Sequence, residues 1–443
     1  MADLLIKNGT IIDVEQARIF KGAIEVRGKK IYKLIPDGDQ LPNNIEIFDA
    51  SGKYIIPGLI DMHCHLHEGF AKHFVAAGVT TVRNTAGNII FLNELREKYV
   101  DEPFPKIYGS DRMIDGWPGQ WGETSYGNFV TDCPKAARNE VRRQANAGAY
   151  FIKLYGWIKE DVLIAATEEA KQLGLEVAID LINSKDLTIL DAAKAGVNWI
   201  EHASGFAQAL YKGWNPMANQ ENWQTIDWEN PDEGKIKDIC AALLQSGVKL
   251  CPTMVLFDQT MKFPSYWSPQ HPVINSINER AFPLTYWQEQ EELISIVQKN
   301  NAIINTLTKK VAKTYFDMGG VVVAGTDTPA LLYTYPGMAL HRELEIFVEI
   351  GFSEMEALQA ATSHAAKAMK QTEIGSIKEN AFADLLILSK NPLDDIKHTQ
   401  EIDYIVQDGK FYRPKEILRE LPSLEEANKT MNRFIEKWDM HHS

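Results

Sequence analysis

Apolar and polar positions alternate in short runs at both ends of this chain, and the rhythm changes between them. From residue 3 to 49 the runs Leu4–Lys7, Ala23–Val26, Ile31–Ile35 and Ile45–Phe48 are broken by glycine and by Pro36-Asp37-Gly38. Short apolar runs bounded by such breakers predict strands. Residues 373–412 repeat the style in Ala383–Leu388, then in Tyr404-Ile405-Val406 before the turn Gln407-Asp408-Gly409. Neither half can build a solid core alone, so pairing into one discontinuous β-sandwich is expected.

Between these ends, apolar runs alternate with helical stretches, the βαβα rhythm of a parallel barrel. The predicted strands are Leu59–His63, Thr80–Asn84, Lys106–Gly109, Phe151–Tyr155, Glu176–Asp180, Trp199–His202, Lys249–Pro252 and Val321–Gly325. Eight such units predict an α/β protein with a (β/α)₈ TIM barrel over residues 58–372. The flanking halves of the sandwich are 1–57 and 373–412, and 413–443 forms a helical tail with its helix at Ser423–Trp438. Ala281 to Met318 reads as helix between the last two strands. Gly205 to Gly234 is a long insertion after strand 6, rich in Trp, Asn and Pro.

Length agrees with this division. The 443 residues suit a barrel of roughly 250–300 residues plus an accessory domain. Hydrophobic residues are 45% and charged residues 24% of the chain, an ordinary globular composition. A formal net charge of −14 repels phosphate backbones and anionic lipids, so no nucleic-acid or membrane partner is expected. The first residues lack a basic stretch followed by an apolar one, and no apolar run reaches ~18 residues. Cys64, Cys133, Cys240 and Cys251 are scattered without a Cys-x-x-Cys pair. They read as reduced thiols in a cytoplasmic protein.

Candidate chemistry gathers at strand ends. Asp61-Met62-His63-Cys64-His65 closes strand 1, and alternation turns His63 and His65 the same way. Two imidazoles so placed can bind one divalent ion, or they are simply polar residues at a strand end. In Phe151-Ile152-Lys153-Leu154-Tyr155, Ile152 and Leu154 should face the helices, turning Lys153 into the barrel. A buried ammonium there needs a partner. Reaction with CO₂ would make it an anionic carbamate able to bridge two metals; alternatively the side chain snorkels to the mouth. His202, ending strand 6, is a third imidazole or a hydrogen-bonded barrel-end residue. Asp327, after strand 8, could bind a metal and accept a proton, or act as a turn or cap residue. These residues share the C-terminal ends of strands 1, 4, 6 and 8, the face where barrel enzymes carry their sites.

With these residues in view, the chain resembles the amidohydrolase superfamily, and more closely its imidazolonepropionase and metal-dependent prolidase branch. The resemblance runs from Asp49-Ala50-Ser51-Gly52-Lys53-Tyr54-Ile55-Ile56-Pro57-Gly58 through His65, then Gly78–Arg83, Phe151–Leu154, Ile200-Glu201-His202 and Gly325-Thr326-Asp327. It closes with Ile374–Ile377 and Ala383-Asp384-Leu385, covering roughly residues 1–412. It implies the barrel, the sandwich, and one or two divalent ions, commonly zinc. It also implies that His63, His65 and Asp327 hold one ion, while carboxylated Lys153 bridges to a second held by His202.

Three departures stand out. Asp180 falls where the family usually has a strand 5 histidine, so it is either a ligand or a hydrogen-bonding residue. Arg83-Asn84 replaces the usual Arg-Asp. Asp115-Gly116-Trp117-Pro118-Gly119-Gln120-Trp121-Gly122 replaces a Gly-Gly-His stretch common after strand 3.

The implied activity is hydrolysis of an amide: a dipeptide, an N-acyl amino acid or a cyclic amide. Asp327 would act as general base then acid, with His202 helping to polarise the carbonyl. Tyr155 and Arg112 are candidates to meet a substrate carboxylate or carbonyl. Trp214, Trp223, Trp228, Tyr266 and Trp267 either line the mouth against an apolar substrate group or pack the insertions. A catalytically impaired ligand-binding barrel, or a lactonase or deaminase using the same metal site, are the alternatives. The partner expected is a small-molecule substrate, and a homo-oligomer stays open.

Overall fold

The computed structural model describes residues 3–42, 45–216, 220–279 and 284–442. Eight parallel strands stand where the apolar runs predict them: Leu59–Cys64, Val79–Asn84, Lys106–Gly109, Phe151–Leu154, Glu176–Ile179, Trp199–Glu201, Lys249–Cys251 and Val321–Val322. They form a TIM-barrel-like α/β fold. The first three make one ladder, and strands four to eight continue another. The ladders meet at both seams: Tyr150 N–H donates to the Gly109 carbonyl, and Met62 N–H to that of Ala324. Strand 3 is broken. After Gly109 the chain steps out and returns as Met113–Asp115, whose Ile114 pairs with Leu154.

Side-chain alternation sorts the barrel residues. Ile152, Leu154, Val177, Ile179 and Ile200 pack in the large cluster with the surrounding helices. Phe151, Ala178, Trp199, Cys251 and Val323 form a separate cluster inside the cylinder. Lys153, two residues after Phe151, therefore turns inward as expected. Gly325, three residues after strand 8, lies against the His63 backbone. A Cβ there would lie 2.8 Å from the His63 nitrogen and 2.5 Å from Cys251 Sγ, so only glycine permits the approach.

Both chain ends contribute to one further sheet. Tyr54–Pro57 lies between Leu4–Asp13 and Leu385–Leu388, and pairs antiparallel with the latter. Ile402–Gln407 and Lys410–Tyr412 extend one edge; Arg18–Arg27 and Lys30–Pro36 extend the other. The eight strands, including Glu46–Asp49 beside the first, are hydrogen-bonded in one sheet. The ends meet as expected, but in a single sheet rather than two separately bonded ones. Its own apolar cluster includes Ile6, Ile24, Ile55, Leu385 and Val406.

The predicted helix before strand 8 is Leu284–Asp317; the start expected at Ala281 lies outside the described residues. The tail helix is Leu424–His442, with Phe434 packed on Phe91 and Tyr126. The cysteines are unpaired. Among the described residues no helix is long and apolar enough to cross a membrane.

His341 locks the sheet's connecting segment to the barrel. Its Nε2 lies 2.8 Å from the Ala77 carbonyl oxygen and its Nδ1 2.8 Å from Thr399 Oγ1. Burial pushes this imidazole down to about 4 from 6.5, so it is neutral in the fold. Its stabilising contribution is complete above pH 6.5 and is lost as pH falls towards 4, because the unfolded chain takes up the proton first. The loss reaches about 3 kcal/mol. Urea unfolding should show a shallower decline across this window in His341→Gln than in the wild type.

Candidate functional site

The C-terminal ends of the strands surround a cavity of about 480 Å³. His63, His65, Lys153, Asp180, His202 and Asp327 all line it, as does Tyr155. Residues scattered over 265 positions of sequence thus meet at one rim.

His63 is the best-supported side chain. Its Nδ1 lies 2.7 Å from Glu201 Oε2, and its Nε2 lies 3.1 Å from Asp327 Oδ1. Glu201 is fully buried and is also held by Arg83 Nη1 at 2.9 Å. The Arg83 guanidinium lies 4.1 Å from the centre of the Phe151 ring and 4.5 Å from that of Trp199. Burial would raise the Glu201 carboxyl, but Arg83 and His63 outweigh it and hold it well below the usual carboxylate range. Glu201 is therefore an anion that accepts from the His63 Nδ1–H, which leaves Nε2 facing Asp327. Burial would lower this imidazole, but Glu201 and Asp327 outweigh it and raise it.

His202 shows the same logic. Thr253 Oγ1 donates to the Pro252 carbonyl at 2.8 Å, so it accepts from His202 Nδ1 at 2.6 Å. Nε2 then presents its lone pair to Asp180 at 3.4 Å and Asp327 at 4.0 Å. Burial lowers this imidazole, only partly offset by Asp180 and Asp327. His65 is one-third exposed, with Nε2 2.8 Å from Asp327 Oδ1.

Asp327 is the common point. Burial would raise its carboxyl, but His63 and His202 hold it well below the usual range. The site needs two unusual backbone turns. His202 (φ 61°) and Asp327 (φ 60°) both sit in the left-handed region, which costs about 1–3 kcal/mol per non-glycine residue. Strand alternation would send Glu201 and His202 to opposite faces. The turn at His202 brings its ring within 4.6 Å of His63's, centre to centre. The Asp327 N–H is tied to the His63 carbonyl at 2.7 Å.

The donor set suits a cation. Ligand atoms of His63, His202 and Asp327 lie within 4.8 Å of one another, close enough for one ion with ordinary bonds of ~2.0–2.2 Å. Two imidazole Nε2 atoms converging on one carboxylate are a further mark of a cation's place. Lys153 Nζ is buried beside them without a hydrogen-bond partner, so its present form is unsatisfied where it stands. Asp180 accepts from the Ile182 N–H at 2.8 Å, and burial beside it pushes the Tyr155 hydroxyl up. Asp61 lies beneath, accepting from Thr326 Oγ1 at 2.7 Å; burial pushes it up to about 7.

Other candidates are used elsewhere. Arg112 forms a two-bond pair with Glu140, both contacts 2.9 Å, and is not in the cavity wall. Trp214, Trp223 and Trp228 pack on one another, and Tyr266 stacks on Tyr333 at 3.8 Å. The aromatic lining comes instead from Trp121, Tyr126 and Tyr286. Sequence reading also passed over Glu201 and Thr253. Glu201 carried a signal: two residues after inward-facing Trp199, it had to be a buried anion needing a cation.

The profile described as amidohydrolase family matches residues 54–412. An adenine deaminase of Listeria innocua is 38% identical over 89 residues, 18% of this chain and 14% of that relative. An allantoinase of Escherichia coli is 36% identical over 93 residues, 21% of this chain and 19% of the relative. The chain thus spans less than a fifth of the length of these curated relatives. A candidate prolidase from Bifidobacterium longum superposes with a TM-score of 0.70 at 21% identity, covering 98% of both chains. A Xaa-Pro dipeptidase with methionine bound in its active site gives 0.67 at 19%, covering 93% of this chain and 100% of the other. An A. niger ochratoxinase gives 0.67 at 18%, covering 93% and 96%. At this identity the superpositions speak for the fold.

Glu201→Gln should leave Arg83 buried without its carboxylate. We expect a loss of about 3–5 kcal/mol in denaturant unfolding; a change within about 0.5 kcal/mol, the range of ordinary surface substitutions, would deny Glu201 this role.

Proposed function

This chain belongs to the amidohydrolase family, and from that premise we propose that it is a metal-dependent hydrolase of carbon–nitrogen bonds. Its substrate in this reading is a dipeptide, an N-acyl amino acid or a cyclic amide. The observation that carries the reading is the meeting of the His63 and His202 Nε2 atoms with the Asp327 carboxylate. His63, His65 and Asp327 would hold the first divalent ion, zinc by the choice of donors; His202, which the resemblance assigns to the second ion, also lies within reach of the first. Asp180 stands where the family usually has a histidine and would serve a second ion.

Lys153 enters as its carbamate. The ammonium first gives up a proton; the uncharged amine then attacks CO₂, a nitrogen–carbon bond forms as one carbon–oxygen π bond opens, and a second proton leaves, so a buried cation becomes an anionic ligand. Its unpartnered Nζ supports this assignment.

A bound divalent ion supplies Lewis-acid polarisation of the scissile carbonyl and acidifies water. The remaining work falls to the chain. Asp327, kept anionic by its imidazole neighbours, accepts a proton from the attacking water and returns it to the leaving nitrogen as the carbon–nitrogen bond breaks. Glu201 and Thr253 fix the two histidine rings, so their Nε2 atoms need no reorientation. Tyr155 lines the cavity close to Asp180 and can donate to a substrate carbonyl or carboxylate.

A screen over dipeptides, N-acyl amino acids, cyclic imides and lactones identifies the substrate. His63→Ala should abolish turnover with the fold retained; unchanged turnover would reject the metal assignment. Lys153→Ala should lose activity and regain part of it when a short carboxylic acid is added, whereas full activity without the acid argues against the carbamate. Metal analysis after zinc reconstitution offers a separate check. Less than about one-tenth equivalent bound would turn the reading to a ligand-binding barrel without turnover.

A further inference from the structure

A second cavity, of about 260 Å³, shares the wall residue His202 with the first. It lies between the insertion after strand 6 and the helix Leu284–Asp317. Phe206, Trp214, Trp223, Phe257, Ile304 and Leu307 give it an apolar lining. Trp214 is 6% exposed, and its indole Nε1 is buried with no hydrogen-bond partner. Elsewhere in the same cluster, the Trp228 indole donates to the Trp223 carbonyl at 2.8 Å. The Trp214 donor is therefore not a general feature of this aromatic packing. A buried donor left unpaired is destabilising, and an acceptor inside the cavity would remove that cost.

Size and chemistry narrow the occupant. An apolar cavity of about 150 Å³ can admit benzene, so this one has room for a ring with a substituent. It is too small for a whole extended substrate, since ligand pockets run to roughly 300–1,000 Å³. The amide nitrogen of Gln208 is already committed to the Leu181 carbonyl, whereas the Trp214 N–H is a buried donor of this lining with no partner.

We propose that this cavity is a substrate subsite, taking an aromatic group that carries one hydrogen-bond acceptor while the scissile bond lies in the first cavity. The subsite role rests on the hydrolase reading above; occupancy by such a ring does not. The substrate class it selects is an amide with an aromatic substituent, over one with a small aliphatic substituent.

The test uses two small probes that cannot be hydrolysed, acetophenone and toluene, with binding measured by calorimetry on the purified full chain. Ala207 lines the cavity, and Ala207→Leu should fill it; Ile304→Phe fills it from a different helix. Acetophenone should bind the wild type saturably and fail to bind either filled variant. Trp214→Phe should weaken acetophenone about tenfold, the worth of one hydrogen bond, and leave toluene unchanged. No binding to the wild type, or binding that both filled variants retain, overturns the site. Equal loss of both probes in Trp214→Phe overturns the role of the donor.

Turnover then tests the subsite. With N-acetyl-L-tyrosine, whose ring carries a phenol oxygen as acceptor, Ala207→Leu should lower kcat/KM at least about tenfold, the scale of a buried apolar group, while N-acetylglycine is unaffected. Equal effects on both overturn the subsite role. If neither compound is hydrolysed by the wild type or any variant, nor anything else in the substrate screen, it is the hydrolase reading that fails; acetophenone binding still decides occupancy.

Discussion

One buried carboxylate organises the active end of this barrel. Glu201 has no access to solvent, and an isolated ion so placed would cost several kcal/mol. It is tolerable because Arg83 approaches one oxygen and His63 the other. Arg83 in turn needs a place to lie, and the Phe151 and Trp199 rings provide it. The same contact that satisfies Glu201 keeps a proton on His63 Nδ1 and aims Nε2 at the cavity. The orientation of the exposed chemistry is thus set one layer below the cavity, among groups no substrate would touch.

Above that layer, backbone geometry does what alternation alone cannot. A regular strand offers one inward side chain in two, and the strand 6 end delivers both Glu201 and His202. The left-handed turn at His202 makes this possible, and a matching turn places Asp327 against His63. Gly325 lets strand 8 come close enough for that hydrogen bond, since a Cβ would collide with His63 and Cys251. Strain at these turns persists because the surrounding hydrogen bonds over-determine them. A chain that keeps such costly turns at the rim is holding a fixed constellation of side chains there.

Much of this was legible in the sequence because barrel strands are short, apolar and bounded by turn residues. All eight were located to within a few residues, and inward Lys153 followed from its apolar neighbours. What was hidden depended on contacts distant along the chain. Arg112 reads as a free cation after strand 3, but Glu140 on the following helix claims it. The tryptophans of the insertion suited either the mouth or the packing of the insertion, and their contacts with one another are not written in their spacing. Positive φ at His202 or Asp327 leaves no trace in composition, because neither is a glycine. The terminal strands announced themselves by period, but period does not reveal whether they bond as one sheet or two.

The division between strand ends and connecting segments bears on how selectivity is built. The side chains proposed for chemistry stand on or just after strands, held by the ladder and by buried ion pairs. Trp121, Tyr126 and Tyr286, which shape the first cavity, all come from connecting segments or the long helix. Phe206, Trp214 and Trp223, which shape the second, come from the insertion after strand 6. Loops tolerate change that strands do not, so substrate preference can drift while the strand-end constellation stays. The cavity walls, built from connecting segments rather than from the proposed metal ligands, are therefore the place where substrate preference is set in this reading.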